Sequence, residues 1–278
     1  FNLAAQPLVI KSYQDPRETF STNLMGTVNF FEAVRATPSI KVAINITSDK
    51  CYENYELDKG YKENDRMGGK DPYSASKGAV ELITSSYISS FFSRSNTANV
   101  ASVRAGNVIG AGDWAENRII PDYFRAKALN QVLMIRNPNS TRPWQHVLEP
   151  LSGYLNLAQH LYQYGKNFQG GYNFGPYDNE NYSVLDLINT ISKYDKIPDC
   201  KYDTNEKNLE AKLLRLDISK AEHKLGWKPA LDFNENIKYC IEGYLSDIAG
   251  YSAYRNRIES IISYTEMAKE HNLPWALN

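Results

Sequence analysis

Cysteine is scarce. The 278 residues hold three, Cys51, Cys200 and Cys240. They are far apart with no Cys-x-x-Cys pair, which argues against a disulfide framework and against a cysteine-built zinc site. Histidine is as thin: there are four, none in paired ligand spacing, so no metal is expected. Charge of one sign is lacking too. The formal net charge is −1 with no long basic run, so bulk charge favours neither nucleic acid nor anionic membrane as a partner. No apolar stretch approaches the roughly 18 residues of a membrane span. The marks of a signal peptide, internal repeats and low-complexity segments are not seen either. The setting expected from these absences is a reducing cytoplasm. What remains is a chain long enough for one large or two modest domains with a real core.

The chain opens Phe1-Asn2-Leu3-Ala4-Ala5-Gln6-Pro7, which reads as the end of a buried strand running into a functional loop. A natural domain seldom starts there, so the expectation is a fragment lacking its beginning. Asp15-Pro16 is a cap with a first-turn proline. After it Phe20, Leu24, Val28, Phe31 and Val34 recur at helical spacing and predict one apolar face. Thr22-Asn23 and Gly26-Thr27 are expected on the other side, as small residues for close packing.

Val42-Ala43-Ile44-Asn45-Ile46-Thr47 is short, unbroken and rich in β-branched residues, as a strand buried on both faces of a parallel sheet should be. Sites in such sheets lie just past the carboxyl ends of strands, which selects Ser48, Asp49 and Lys50. A polar stretch with Gly60, Gly68 and Gly69 follows, expected as a surface loop. Asp71 then caps a helix over Pro72–Phe92 that carries Tyr73 and Lys77 on one face. Tyrosine is a poor base at neutral pH, its ordinary pKa being about 10. A nearby ammonium stabilises the phenolate and lowers that value. The pair is therefore a usable base for oxidising a hydroxyl. By itself the spacing also fits a solvated helix face; the polar triplet after a buried strand weighs against that.

Val100–Arg104 is the next strand, running into Ala105-Gly106-Asn107-Val108-Ile109-Gly110. Strand, helix, strand, helix, strand predicts an α/β fold with a Rossmann-like parallel sheet. Beyond Gly112-Asp113-Trp114 a smaller, mostly helical substrate domain is expected. The division predicted is 1–115 and 116–278, with about 145–175 returning to the first part. Arg118, Arg136 and Arg142 are either a diphosphate clamp, since guanidinium pairs with phosphate oxygens two at a time, or ordinary surface charge. Helices are predicted over Leu148–Tyr164 (Leu151, Leu155, Ala158 and Leu161 on one face), after Ser183, from Ser219 to Gly226, over Phe233–Ile248, and over Ser252–His271 with Ile258, Ile261, Ile262 and Thr265 together.

Seven pieces, in order, now carry a resemblance. They are Leu3-Ala4-Ala5-Gln6-Pro7, Thr47-Ser48-Asp49-Lys50-Cys51-Tyr52, Asp71-Pro72-Tyr73-Ser74-Ala75-Ser76-Lys77, Arg104–Gly110, Gly112-Asp113-Trp114, Arg142–Pro150 and Tyr172-Asn173-Phe174-Gly175-Pro176. With them the chain resembles the extended short-chain dehydrogenase/reductase family, and within it the NAD-dependent 4,6-dehydratases of CDP-sugars. The subfamily likeness rests on Ser48-Asp49-Lys50 and on Arg142-Pro143-Trp144-Gln145-His146. The chain past about Gly250 lies outside the shared pattern.

The resemblance implies NAD as cofactor and a nucleotide sugar, CDP-glucose, as substrate. Tyr73, helped by Lys77, would take the proton of the C4 hydroxyl as hydride leaves C4. Ser48 would hydrogen-bond the C4 oxygen. Asp49, when protonated, would give a proton to the departing C6 hydroxyl. Lys50 stands where the similar dTDP-glucose dehydratases carry a glutamate base. It either takes the C5 proton, for which it must be neutral, or assists Asp49 electrostatically. The product would be CDP-4-dehydro-6-deoxyglucose, feeding deoxysugar synthesis for surface polysaccharide. Ala4, Ala5 and Gln6 would lie along the cofactor, with Asn23 bracing them or facing it. Asn107, Arg118, Arg142 and His146 would surround the diphosphate and sugar, and Ile119, Ile120 and Pro121 the base. The family's glycine-rich loop would precede Phe1, with roughly 60–80 residues at about 30 per βαβ unit. A homodimer through helices around 20–34 and 72–92 is implied. Two other readings stay open: a 4-epimerase, which has no use for Asp49-Lys50, and a catalytically silent nucleotide-sugar-binding remnant.

Overall fold

The computed structural model describes residues 1–177, 182–203 and 213–277. Helices α1 (Val9–Gln14), α2 (Pro16–Phe20) and α3 (Gly26–Ala36) come first, the last two joined by a π-helical turn at Ser21–Met25. Strand β1 (Val42–Ile46), helix α4 (Pro72–Ser90), and strands β2 (Asn99–Ala105) and β3 (Val108–Ile109) follow. Next are α5 (Ile119–Ala128), β4 (Leu133–Arg136), β5 (Thr141–Arg142), β6 (Gln145–His146), α6 (Leu148–Tyr164) and β7 (Gly170–Phe174). The remainder is β8 (Tyr182–Ser183), α7 (Val184–Ile191), β9 (Cys200–Asp203), α8 (Ser219–Leu225), α9 (Phe233–Ile248) and α10 (Ala253–Glu270). Contacts divide the chain into two compact units. The first comprises 1–106, 151–174 and 214–228; the second comprises 107–150, 175–213 and 229–278.

The first unit is built on a parallel sheet in the order β1-β2-β7, with Val42 opposite Asn99 and Ala105 opposite Phe174. Asn2 continues it beyond β1 by a parallel bridge to Asn45. The α/β reading with a parallel sheet is therefore correct. Phe31, Val34, Ala43, Phe92, Ala98 and Val100 pack one core of this unit. A second cluster joins Cys51, Tyr52, Tyr61, Leu214 and Leu216. This corrects the expected surface loop. Tyr52 and Tyr61 stack with ring centroids 5.3 Å apart, and Gly60 and Gly69 lie so close to neighbouring backbone that a Cβ on either would come within 2.5 Å of it.

Two helix faces also need correcting. Phe20 is exposed, while Thr19, Asn23, Thr27, Phe31 and Val34 face inward. The π-turn adds a residue to one turn and rotates the face, and the inward polar groups are satisfied by hydrogen bonds described below. On α6, Leu155 is exposed and Tyr154, Leu157 and Leu161 are buried. Gly153 is why that side packs: a Cβ there would come within 2.3 Å of the Phe174 ring. The helix expected to be capped by Ser219 begins one residue earlier in effect, with Ile218 as cap and Ser219 as its first residue, and it ends on Gly226 at φ 61°.

In the second unit Ile109, Ile120, Tyr123, Phe124, Leu133, Ile135, Leu187, Ile188, Ile237 and Ile241 form the main core. Capping boxes open α7 at Ser183 and α9 at Asp232. Helix α10 joins by its Tyr264 and Ala268, which pack with Ala230, Leu231, Leu273 and Ala276. Ile258, Ile261 and Ile262 do share a face, but it is an exposed one. Among the described residues no helix is long and apolar enough to cross a membrane.

Candidate active site

Strand β1 ends at Ile46, and the chain turns at once into a 3-10 turn over Asp49–Cys51. Ser48 caps that turn by accepting the Lys50 amide at 3.3 Å, and its hydroxyl donates to Asp49 Oδ1 at 2.9 Å. Asp49 is 2 % exposed. Its other oxygen, Oδ2, is buried with no hydrogen-bond partner. A buried acceptor left unmade is costly, so an orphan carboxylate oxygen beside a serine marks a place where something else is meant to sit. Lys50 is half-buried.

Asp71 starts α4 by accepting the Ser74 amide at 2.9 Å, with Pro72 in the first turn. Tyr73 and Lys77 follow one turn apart, both buried, with Lys77 Nζ 6.0 Å from the Tyr73 ring centre. Gly78 lets the 49–51 turn lie against this helix: a Cβ there would stand 3.2 Å from the Cys51 carbonyl oxygen. Ser48, Asp49, Tyr73 and Lys77 are thus brought together in one unit. Burial lowers the Lys77 ammonium to a pKa of about 8, against the pull of the Glu81 and Cys51 charges upward.

Glu81 was not singled out from sequence. It lies one turn beyond Lys77 and is itself buried. It accepts two hydrogen bonds from Arg104, at 2.9 Å from Nε and 2.8 Å from Nη2, one from Ser102 at 2.7 Å, and one from Thr47. Burial alone would push its carboxyl up; the Arg104 guanidinium and the two hydroxyls more than offset this and hold it below the ordinary range. Arg104 also donates to Tyr52 Oη at 2.5 Å, and Tyr52 in turn donates to Asn173 Oδ1 at 2.8 Å. Asn173 closes the network on the carbonyls of Tyr61 and Asp217. Two signals were available in the sequence: Glu81 stands four residues after Lys77, and Arg104 is a charge in an otherwise apolar strand.

Asn23 is a brace. Its Oδ1 accepts the Gln6 amide at 2.8 Å, and its Nδ2 donates to the Gln6 carbonyl at 3.2 Å and to Ser76 Oγ at 2.8 Å. The loop that follows Asn2 is thereby tied to the helix that bears Tyr73. Gln6 is buried, and its side chain is used on Thr19 and Leu8. Ala4 is exposed and Ala5 half-exposed, so small side chains, not the Gln6 amide, line the open side of this loop.

The remaining candidates belong to the second unit. Asn107 is half-buried, and its carbonyl accepts the Gln145 amide at 3.1 Å. Arg118 caps α5 and pairs with Asp113 at 2.5 Å, with 40 % of its side chain exposed. Ile119 borders the core, while Ile120 and Pro121 are buried. Arg136 donates to the Asn117 carbonyl at 3.0 Å and is exposed; Arg142, on β5, donates to the Thr141 carbonyl at 2.8 Å. His146 is 5 % exposed. Its ring accepts the Leu148 amide through Nδ1 at 3.4 Å, so Nε2 carries the hydrogen in the neutral ring. Burial first, and the Arg257 charge second, lower its pKa to about 4.

Comparison with known proteins accords with this arrangement. The sequence model of the GDP-mannose 4,6-dehydratase family matches residues 1–240. A CDP-glucose 4,6-dehydratase of Salmonella typhimurium is 48% identical over 255 residues, which is 90% of this chain and 71% of that protein. The human dTDP-D-glucose 4,6-dehydratase is 24% identical over 93% of this chain and 71% of its own length. Among solved structures, a dTDP-glucose 4,6-dehydratase double mutant from Streptomyces venezuelae, with NAD bound, superposes with a TM-score of 0.73 at 18% identity. That match covers 90% of this chain and 73% of the other. At this identity it speaks for the fold.

Proposed function

This chain belongs to the GDP-mannose 4,6-dehydratase family, and from that premise we propose that it is a hydro-lyase converting CDP-D-glucose to CDP-4-dehydro-6-deoxy-D-glucose. The observation that carries the reading is the orphan Oδ2 of Asp49. A carboxyl oxygen held beside Ser48 and close to the Tyr73 helix suits an acid that must deliver a proton to a leaving hydroxyl. A 4-epimerase has no such step. The 48% identity to a CDP-glucose enzyme supports the choice of substrate.

NAD, when bound, supplies the acceptor and later the donor of the travelling hydride. The exposed Ala4, the half-exposed Ala5 and the Asn23-braced loop suit a flat cofactor surface, and Lys77 would hydrogen-bond the cofactor's ribose. Tyr73 Oη, its phenolate favoured by the Lys77 ammonium, takes the proton from the C4 hydroxyl. Ser48 holds the C4 oxygen. The 4-ketone acidifies the C5 hydrogen, which Lys50 takes or helps to take. Asp49 Oδ2 hands its proton to the C6 oxygen, and water leaves. The C4–H bond broken first is matched by the C6–H bond formed last, so the sequence has no net redox change. Asn107, Arg118, Arg142 and His146 serve the nucleotide diphosphate and sugar. His146 does so as a neutral donor through Nε2, and Ile119, Ile120 and Pro121 contribute to the base-side wall.

We further assign the cofactor mainly to residues 1–115 with 145–175, apart from Asn107 and His146, and the nucleotide sugar mainly to the rest, and expect a homodimer through the α2–α4 region. The exposed Phe20, Met25 and Leu82 support that last assignment. A cytoplasmic setting fits the three free cysteines. The test is incubation of the full-length protein with CDP-glucose and trace NAD, read by the alkali-developed absorbance of a 4-keto-6-deoxy sugar. A signal with CDP-glucose and none with dTDP-glucose is expected. Appearance of CDP-galactose would instead establish epimerisation, and binding of CDP-glucose without turnover a silent binding protein.

A further inference from the structure

Helix α10 lies beyond the span that matches the family, yet it reaches the segment that carries His146. The path runs through Glu149, which is 0 % exposed and stands in the first turn of α6. Its carboxylate reaches other elements. Oε1 accepts the Leu231 amide at 2.7 Å and the Ala230 amide at 3.0 Å, and Oε2 accepts the Tyr264 hydroxyl of α10 at 3.0 Å. The segment so anchored is gripped again by Asn236, whose Nδ2 donates to the Leu231 carbonyl at 3.2 Å and to the Asp232 carbonyl at 2.8 Å. Oδ1 of the same buried side chain accepts the His146 amide. A second path is shorter. The His146 ring lies 5.7 Å from the Tyr239 ring, and Tyr239 Oη is bonded to Ser263 of α10 at 2.8 Å.

Strand β6 needs such a brace. It is two residues long and pairs with β3 through Val108 opposite Gln145 and Ile109 opposite His146. A ladder this short does not fix a backbone by itself, and a histidine that must aim Nε2 at a ligand needs its backbone fixed. Anchoring a tail is a weaker reason for the network. Ala268, Leu273 and Ala276 already pack that tail on Ala230 and Leu231, and a buried carboxylate is a costly way to add to it. What a satisfied buried polar network adds is one defined geometry. We propose that Tyr264 and Glu149 are positioning residues for the nucleotide-sugar side of the site. Through them α10 holds the 230–232 segment, and Asn236 passes that position to the His146 backbone. The inference rests on the reading of His146 as a nucleotide-sugar contact. It gives the tail beyond the family span a part in substrate binding and none in the chemical step.

The test uses the full-length protein. Tyr264→Phe removes one hydroxyl and keeps the ring that stacks on Trp275. Hydrogen exchange of the peptide bearing His146 should become about tenfold faster, while α5, in the same unit, exchanges as in wild type; general loosening would speed both. Asn236→Ala, which deletes the acceptor itself, sets the upper limit. Glu149→Gln should stay near wild type, since its oxygen can still accept the 230–231 amides and its amide nitrogen can donate to Tyr264. In turnover of CDP-glucose with NAD present, Tyr264→Phe should raise KM about fivefold with kcat within about twofold. In a His146→Gln background it should raise KM no further, because both changes act through one contact. Unchanged exchange in Tyr264→Phe overturns the proposal whatever the substrate. So does faster exchange with unchanged KM in an enzyme that converts CDP-glucose, or a full additional rise of KM in the His146→Gln background. A wild type that neither binds nor converts CDP-glucose refutes the functional reading instead, and the exchange result still decides whether α10 positions β6.

Discussion

The two units differ in where they keep their ion pairs. In the first, Glu81 and Arg104 are 5 % and 4 % exposed and pair with each other, with Thr47, Ser102 and Tyr52 taking their remaining valences. In the second, the ion pairs Arg118–Asp113 and Arg125–Asp122 lie half-exposed. Among its deeply buried titratable groups, burial drives two toward their neutral forms: His146 is pushed down to about 4 and Glu149 up to about 7. A satisfied internal pair fixes geometry. Half-buried arginines remain able to trade a carboxylate for a ligand's phosphate. The first arrangement suits residues that must hold reacting atoms, the second suits residues that must bind and let go.

The sharpest break of that contrast is chemical. Tyr73→Phe is expected to lower kcat by on the order of 10³-fold, with a melting temperature close to wild type because only a hydroxyl is lost. Asp49→Asn should lose turnover comparably but stop later in the reaction. Proton removal from C5 survives in it, so recovered CDP-glucose should gain solvent deuterium at C5 while no 6-deoxy product forms. Absence of that exchange would remove Asp49 from the elimination step and assign it to substrate placement.

Next in size is the buried pair. Glu81→Gln leaves the Arg104 cation buried against an amide, and breaking such a pair costs roughly 3–5 kcal/mol, measurable by urea unfolding. Arg118→Ala in the second unit should cost under about 1 kcal/mol. Equal costs would erase the distinction between the units.

This contrast also decides what could be read from the chain. Tyr73 with Lys77, and Ser48-Asp49-Lys50 after an apolar run, are local patterns, so helical and strand geometry alone bring them to notice. The network beneath them is not local: Arg104 is 23 residues from Glu81, and Tyr52 is 121 from Asn173. No spacing rule joins them. The Thr19–Asn23–Thr27 face was hidden for another reason. Phe20 and Leu24 offer a competing apolar pattern, and the π-turn makes the inward spacing four throughout. In the 52–70 stretch glycine reads as loop, although Gly60 and Gly69 are there because backbone crosses backbone. Isoleucines on α10 could be assigned to one face by period, but period does not say whether that face turns in or out.

The second unit's style of burial can be checked by acid. His146 has its folded pKa lowered to about 4 from an ordinary 6.5. Between those values the unfolded chain binds the extra proton and the folded one does not, so stability rises with pH across that window and is lost as pH falls from 6.5 to 4. The amount is on the order of 3 kcal/mol. Glu149, raised to about 7, gives a slope of opposite sign over much of the same window, so the His146 share is read as the difference between wild-type and His146→Gln melting curves from pH 7 to 4.5. A slope unchanged in that variant would mean that other groups carry the acid sensitivity, and His146 would then be free to hold a charge in the site.

The smallest effect tests the half-buried arginines of the second unit. Arg142→Ala should raise KM for CDP-glucose by roughly tenfold, about 1.4 kcal/mol, with kcat within about twofold, because a contact to the diphosphate is the same before and in the transition state. Arg118 holds Asp113 at 2.5 Å, and a phosphate must compete with that carboxylate. Removing the competitor by Asp113→Asn should lower KM below wild type, provided Arg118 faces the nucleotide. If Asp113→Asn leaves KM unchanged while Arg142→Ala raises it, the diphosphate is held from β5 alone and Arg118 only caps α5.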